Sequence, residues 1–290
     1  MERELRSQLM AALVERAAAG DGTLSRSELT SFQLGDRSWR VVDESRGIRN
    51  PAELLTTLSI ISDPDGTYPD IEISPGVWQY AYQIGPLAGS NAKLRRAGEL
   101  GIPVIFLRKL DKNVYLPVSL ATVIHHDDVN RIFTIALGEL EMLRDPANPT
   151  ATERRYAERV VRQRLHQPAF RGIVLRAYDR QCAVCALKHP ELLDAAHIIG
   201  DGEARGDAVV NNGLSLCKIH HAAYDRNLLG ISPECEVRIN RDLLEEIDGP
   251  MLKHGLQEMH GRRIGLPSRR KERPDRERLA ERYAQFAAIG

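Results

Sequence analysis

Two cysteines separated by two residues, Cys182 and Cys185, are followed by a second pair at the same spacing, Cys217 and His220. Each pair can chelate one ion from a single tight turn, and four such donors close a tetrahedral shell. A shell with no open position predicts a structural Zn²⁺ that staples a segment too small to build its own core. A redox Cys-x-x-Cys is the competing chemistry, but it leaves Cys217 and His220 unused. Cys235 competes with His220 for the fourth place and reads better as a small buried hydrophobe.

A second set of side chains lies among these pairs: Asp194 and His197 in Asp194-Ala-Ala-His197-Ile198, then Asn212, then His221. A neutral imidazole at His197 can take a proton from water, because its ordinary pKa lies near working pH. His221 can hold a divalent ion, Mg²⁺ or Mn²⁺, that draws charge from a scissile phosphate. Asp194 is the candidate second ligand for that ion. On a regular strand it points away from His197, so a bulge would be needed to bring it in. Asn212 can orient either the intervening loop or His197. A lone histidine would read as an ordinary satisfied side chain, but the constellation points to metal-assisted phosphodiester hydrolysis by residues 178–230.

Positioning these groups requires three elements. Leu192–Ile199 reads as a short buried strand with His197 near its end, residues 200–212 as a glycine-bearing loop, and Lys218–Leu229 as a helix with His221 in its first turn. Further upstream, residues 2–19 predict an amphipathic helix with Leu5, Leu9, Leu13 and Ala17 on one stripe and Gly20 as its stop. Strand patterns follow at Ser38–Val42, Val77–Tyr82, Ile102–Leu107, Val114–Leu116, Ala121–Ile124 and Ile132–Ala136, interrupted by a helix at Ala92–Leu100. Asp145–Thr150 carries two prolines and reads as a linker, before a charged helix at Thr152–Leu165. The expected class is α+β in two domains: residues 1–145 mostly β, 146–169 a linker helix, and 170–290 the metal-bearing part. The basic stretch 261–274 reads as a solvated strip, with phosphate contact as the sharper alternative.

Two tyrosines twelve residues apart, Tyr68 and Tyr80, with Asp70 close by, can form a slot for a flat ring. The aromatics would stack on its faces, and the carboxylate would accept from an exocyclic amino group. Otherwise the same aromatics fill a core.

Net charge is zero over 290 residues, but the halves differ. Residues 1–150 hold 16 Lys and Arg against 20 Asp and Glu; residues 151–290 hold 24 against 20. The basic excess therefore accompanies the half in which phosphate would be met. No apolar run approaches the roughly 20 residues of a membrane span. The N-terminus lacks a basic-then-apolar export pattern, and four cysteines, three of them committed to metal, suit a reducing cytoplasm.

The run from Phe170 to Leu229 resembles the HNH endonucleases. The match rests on Tyr178-Asp179-Arg180-Gln181-Cys182, Ala195-Ala196-His197-Ile198, Asn212-Gly213-Leu214 and His221-Ala222-Ala223-Tyr224-Asp225-Arg226. The resemblance implies a ββα-metal finger, with His197 as general base and Asn212 and His221 helping to hold the catalytic ion. Many relatives carry Asp or His immediately before the base; here Ala196 stands there, which leaves Asp194 as the substitute. Residues 35–140 are similar, more patchily, to SRA domains, PUA-like β-barrels that flip modified cytosine. That likeness rests on Gly66-Thr-Tyr68-Pro-Asp70, Gly76-Val-Trp78-Gln-Tyr80-Ala-Tyr82, Asn91-Ala-Lys-Leu94 and Ile102-Pro-Val-Ile. It implies a modified-base pocket of Tyr68, Asp70 and Tyr80, with Arg49 as a duplex contact.

The order reader, linker, HNH resembles the modification-dependent restriction endonucleases. It implies recognition of 5-methylcytosine or 5-hydroxymethylcytosine in double-stranded DNA and cleavage nearby. One such centre cuts one strand, so double-strand cleavage would take a homodimer or successive nicks. The alternatives are a reader of phosphorothioate or a glucosylated base, a reader with an inactive nuclease, and a nonspecific or RNA-directed nuclease with a regulatory β domain.

Overall fold

The computed structural model describes residues 2–63, 66, 70–83, 89–138, 140, 145 and 148–289. The chain is mixed α and β, and it divides into two compact units. One holds Met1–Ala18 and Gly22–Ala169; the other holds Ala19–Asp21 and Phe170–Gly290.

The first unit is built on an eight-stranded sheet. The strands run in the order Ile48–Arg49, Ser59–Ser62, Val104–Asp111, Val114–Asp127, Ile132–Leu137, Val77–Ala81, Ile71–Ser74, with Leu24–Ser25 pairing beside Val114–Asp127. Neighbours are antiparallel except Ser59–Ser62, which runs parallel to Val104–Asp111. A parallel pair needs a crossover, and the helix Ser90–Glu99 lies within that connection. Alternation along Val104–Asp111 separates two cores. Val104 and Phe106 join Ile60, Trp78, Leu94 and Phe133, whereas Ile105 and Leu107 join Leu9, Leu13, Trp39 and Tyr115. The stripe expected on residues 2–19 is thus buried, on a helix spanning Glu2–Ala18. Among the described residues the two edge strands of this sheet do not pair with each other.

The two short strands expected at Val114–Leu116 and Ala121–Ile124 are a single strand, Val114–Asp127. Pro117 stands between the two expected stretches. It sits opposite Leu107 at a register shift, where a ladder can do without its N–H. Asn113, at φ 60°, supplies the left-handed residue of the preceding turn.

Helix Ala151–Val161 begins with a capping box between Thr150 and Glu153. Its exposed face is charged, but Ala157, Val160, Val161 and then Leu165 are buried with the first unit's sheet residues. The segment expected to act as a linker is therefore built into that unit. The period-3.6 apolar stripe, diluted by arginines and glutamates, is what places it there.

The second unit takes up helix Gln167–Ala177 from Phe170 on, and this helix leads to strand Leu193–His197, which pairs antiparallel with Gly213–Cys217. Helix Lys218–Asp225 follows, then a second hairpin, Leu229–Ile231 with Val237–Ile239. Phe170, Val174, Leu214, Leu216, Tyr224, Leu229 and Leu279 share its core. The last residues form a helix, Arg276–Ala287, N-capped by Asp275. No helix among the described residues is long and apolar enough to cross a membrane.

Candidate functional site

Cys182 and Cys185 lie in the turns after helix Gln167–Ala177. Cys217 ends its strand, and His220 sits in the first turn of the next helix. The donor atoms of these four residues all lie within 4.8 Å of one another. His220 Nδ1 is 3.1 Å from Cys217 Sγ and 3.4 Å from Cys182 Sγ. Sulfur ligands at about 2.3 Å from a tetrahedral Zn²⁺ stand about 3.8 Å apart, so this donor set can hold zinc. The other imidazole nitrogen is already committed. Nε2 and the Gly255 carbonyl are 2.7 Å apart, and donation there leaves the Nδ1 lone pair for a metal. Hydrogen bonds from Cys182 and Cys185 hold the Cys217 thiol far below its ordinary range. Among the described residues, no other His, Cys, Asp or Glu group of three or more gathers this tightly. Cys235 stands outside it, partly buried against the core.

The strand carrying His197 keeps an unbroken register, from Leu193 opposite Cys217 to His197 opposite Gly213. The bulge considered for Asp194 is absent, and none is needed. Asp194 Oδ2 lies 3.6 Å from His221 Nδ1 and accepts from Lys218 Nζ at 2.6 Å. Its hydrogen bond with His221, followed by that with Lys218, holds the carboxyl at about 2 despite partial burial. The same hydrogen bond raises the His221 pKa. On the far side of the ring, His221 Nε2 lies 3.4 Å from Asp225 Oδ2. Asp225 escaped the reading of the sequence, although its i,i+4 spacing from His221 on a helix was available as a signal.

His197 stacks on Phe170 with ring centroids 3.9 Å apart and planes at 19°. Burial lowers its pKa, and its charged neighbours are Asp201, His221 and Asp225. Its Nε2 is buried without a hydrogen-bond partner among the described residues. Phe170 was another omission, since one apolar residue on an apolar helix face carries no mark of its use. Asn212 is fully buried. Its Oδ1 accepts from the Ile199 N–H at 2.9 Å, and its Nδ2 donates to the Ile199 and Asp207 carbonyls, both at 3.0 Å. The amide is thus spent on the backbone just before the loop, at Ile199, and within it, at Asp207.

The first unit contains a separate cavity of about 480 Å³ lined by Arg46, Gly47, Asp63, Asp70, Tyr80 and Gln83, among others. Burial lifts the Asp70 carboxyl to about 6, against a hydrogen bond from the Asp63 N–H at 3.2 Å. Tyr80 is 3% exposed, and burial drives its hydroxyl pKa far upward. Gly47 is required close by, since a Cβ there would stand 2.7 Å from Tyr80 Oη. Two other aromatics of this region are core residues. Trp78 packs on Phe106 at 5.2 Å, and Tyr82 on Phe133 at 4.2 Å. Tyr68 lies outside the described residues. Arg49 donates from Nε to the Arg40 carbonyl at 3.1 Å and lies 4.0 Å from Asp43.

Residues 182–232 match the family model of the HNH endonucleases. The chain therefore carries an HNH endonuclease domain, and the matched stretch includes all four zinc donors, His197, Asn212 and His221. No curated protein matches the sequence. Among solved structures, the chain is similar to a modification-dependent TagI restriction endonuclease, at 16% identity over 92% of each chain with a TM-score of 0.30. It is also similar to the SUVH5 SRA domain in complex with hemimethylated CG DNA, at 25% identity over 41% of this chain and 86% of that one, TM-score 0.30. A third is the type IV phosphorothioation-dependent restriction endonuclease ScoMcrA, at 14% identity over 62% and 48% of the two chains, TM-score 0.24.

Proposed function

We propose that this chain is a modification-dependent DNA endonuclease. Its first unit binds double-stranded DNA and takes a flipped 5-methylcytosine or 5-hydroxymethylcytosine into the cavity of Asp70 and Tyr80. Its second unit then hydrolyses a nearby phosphodiester. Unstacking the base costs a few kcal/mol, offset by stacking and by the amino group donating to Asp70. Tyr68 is the candidate for the second stacking face, and Arg49 for contact with the duplex. Tethering raises the concentration of the hydrolytic centre near the mark.

The observation that carries the hydrolytic half is the buried Nε2 of His197, which has no partner among the described residues. An orphaned buried acceptor costs roughly 1–3 kcal/mol. A neutral imidazole, kept so by burial, is in the protonation state a general base needs. Its role is to take the proton of the attacking water at Nε2, and the Phe170 contact fixes the plane of its ring. A bound Mg²⁺ or Mn²⁺ would supply charge stabilisation at the phosphate and its departing oxygen. His221 Nε2 and Asp225 Oδ2, 3.4 Å apart on one helix face, are donors that fit it. Asp194, on the other side of the ring, then orients His221 by accepting from Nδ1. Asn212 holds the loop, and the zinc knuckle holds the start of the helix that carries His221.

A second copy acting on the opposite strand would account for double-strand cleavage, and zinc–thiolate chemistry suits a cytoplasmic setting. The test is a digest of matched methylated and unmethylated plasmids with Mg²⁺ or Mn²⁺, with His197→Ala as control. Methylated DNA alone should be cut, and the variant should be inert. Equal cutting of both plasmids would sink the reader; cutting of neither would sink the nuclease.

A further inference from the structure

The loop between His197 and Asn212 is held from within by short-range hydrogen bonds, among them the Glu203 N–H to the Gly200 carbonyl at 3.0 Å and the Gly206 N–H to the Glu203 carbonyl at 2.9 Å. Residues 201–205 are exposed, and Gly202 sits at φ 108°. Segments with few buried contacts open at small free-energy cost. From inside the fold, Asn212 ties the loop's two ends. From outside, the loop meets the C-terminal helix Arg276–Ala287, which lies well beyond the matched HNH stretch.

The N-cap of that helix, Asp275, donates its backbone N–H to the Asn211 carbonyl at 2.9 Å. One turn on, Arg278 donates from Nη1 to Asn211 Oδ1 at 3.1 Å and lies 3.6 Å from Asp207. Arg278 is only 12% exposed, so its bond to Asn211 is better shielded from water than its pairing with Asp207, which is 75% exposed, or the rim pair of Arg205 with Glu277. Further along the same helix, Arg282 donates to the Tyr224 carbonyl at 2.5 Å and to Asn227 Oδ1, with its guanidinium 4.7 Å above the Tyr224 ring. Tyr224 belongs to the last turn of the helix that carries His221. The Tyr224 carbonyl also accepts from the Asn227 N–H at 3.2 Å, so a cation there adds a charged donor and opposes the negative end of the helix dipole. The C-terminal helix is itself fixed. Leu279 is fully buried, and Phe286 packs where a Cβ on Gly230 would come within 2.5 Å.

We propose that this helix is a brace for the hydrolytic centre, with Arg278 and Arg282 as positioning residues. Arg278 holds the loop that follows His197, and Arg282 holds the end of the helix that bears His221 and Asp225. One rigid element thus fixes both halves of the site relative to each other. The inference rests on reading His197 and His221 as the hydrolytic pair, but its structural core can be measured without catalysis.

The experiment is amide hydrogen exchange on the full-length protein and on Arg278→Ala and Arg282→Ala, with zinc content and single-turnover cleavage measured in parallel. In Arg278→Ala, exchange should rise at least about tenfold within residues 200–211 and remain unchanged across the strands. In Arg282→Ala, the rise should fall on residues 222–228 instead. Zinc should stay bound in both. Where cleavage is measurable, the chemical rate should fall with little change in DNA affinity, and Arg278→Lys should recover part of it. Unchanged loop exchange in Arg278→Ala would overturn the proposal. So would a rise spread evenly over the whole unit, which would mean the arginine serves overall stability. A wild-type protein that cuts nothing would sink the nuclease reading while leaving the exchange result to judge the brace.

Discussion

The imidazole of His197 lies nearly flat on Phe170, with ring centres 3.9 Å apart and planes 19° from parallel. One side chain ends a strand and the other sits on the helix that precedes it, so the orientation of the ring is fixed by packing rather than by a hydrogen bond. That leaves Nε2 unengaged and its approach direction set in advance.

Phe170→Leu keeps apolar bulk but removes the flat surface. Cleavage of methylated duplex by this variant should fall by less than that of His197→Ala, for which loss of a general base costs about 10²- to 10⁴-fold. Both variants should keep their zinc. Single-turnover rates decide the order, and equal losses would show that Phe170 supports the fold rather than the ring.

The zinc donors should separate by chemistry. His220→Cys keeps four donors and should retain one zinc per chain while losing the bond to Gly255; His220→Ala should lose zinc and lower the melting temperature of the second unit. Metal analysis beside calorimetry tests both. Full zinc retention in His220→Ala would remove His220 from the shell.

The Asp194–His221 pair gives a pH window without added divalent ion. Asp194 has a depressed pKa of about 2, so its contribution is present above its unfolded value and lost as pH falls through the folded one. His221 has a raised pKa, so its contribution is present below its unfolded value and lost as pH rises through the folded one. The stability difference between the wild type and Asp194→Asn should therefore peak between about pH 4 and 6.5. Above that it should shrink only in part, because Lys218 still pairs with Asp194. Urea midpoints at several pH values test this; a difference independent of pH would exclude the pair.

Asp70 behaves in the opposite way. Burial raises its pKa to about 6, so below that pH the carboxyl carries a proton and loses the charge that strengthens its acceptance from a base amino group. Affinity for methylated duplex should fall as pH drops through about 6, and Asp70→Asn should flatten that dependence while weakening recognition. Because the buried charge opposes folding at neutral pH, Asp70→Asn should also raise the melting temperature at pH 7. Fluorescence anisotropy and thermal melts give the two readings, and a pH-independent affinity would put Asp70 outside the pocket.

The sequence carried the metal cluster and the strand–loop–helix order because both are short-range. Spacing alone brings Cys182 to Cys185 and Cys217 to His220, and the strand that ends at His197 is only five residues long. What it concealed depends on distant chain. The C-terminal helix reaches back from Arg278 to Asp207, and nothing near either residue announces the meeting. Asn212 was legible as orienting either the loop or His197, and only the folded loop shows its amide taken by Ile199 and Asp207. Val114–Asp127 was read as two strands, whereas its pairing with Val104–Asp111 runs through Pro117 and makes it one. Strands as short as Ile48–Arg49 exist only through their partners and carry no pattern to read.

The parallel pairing of Ser59–Ser62 with Val104–Asp111 has a consequence for biosynthesis. A nascent chain cannot close that ladder until some forty further residues have been made. Until then Ile60 and Ile61 lack their partners Phe106 and Leu107, so synthesis should pass through an interval in which chaperones recognise this stretch.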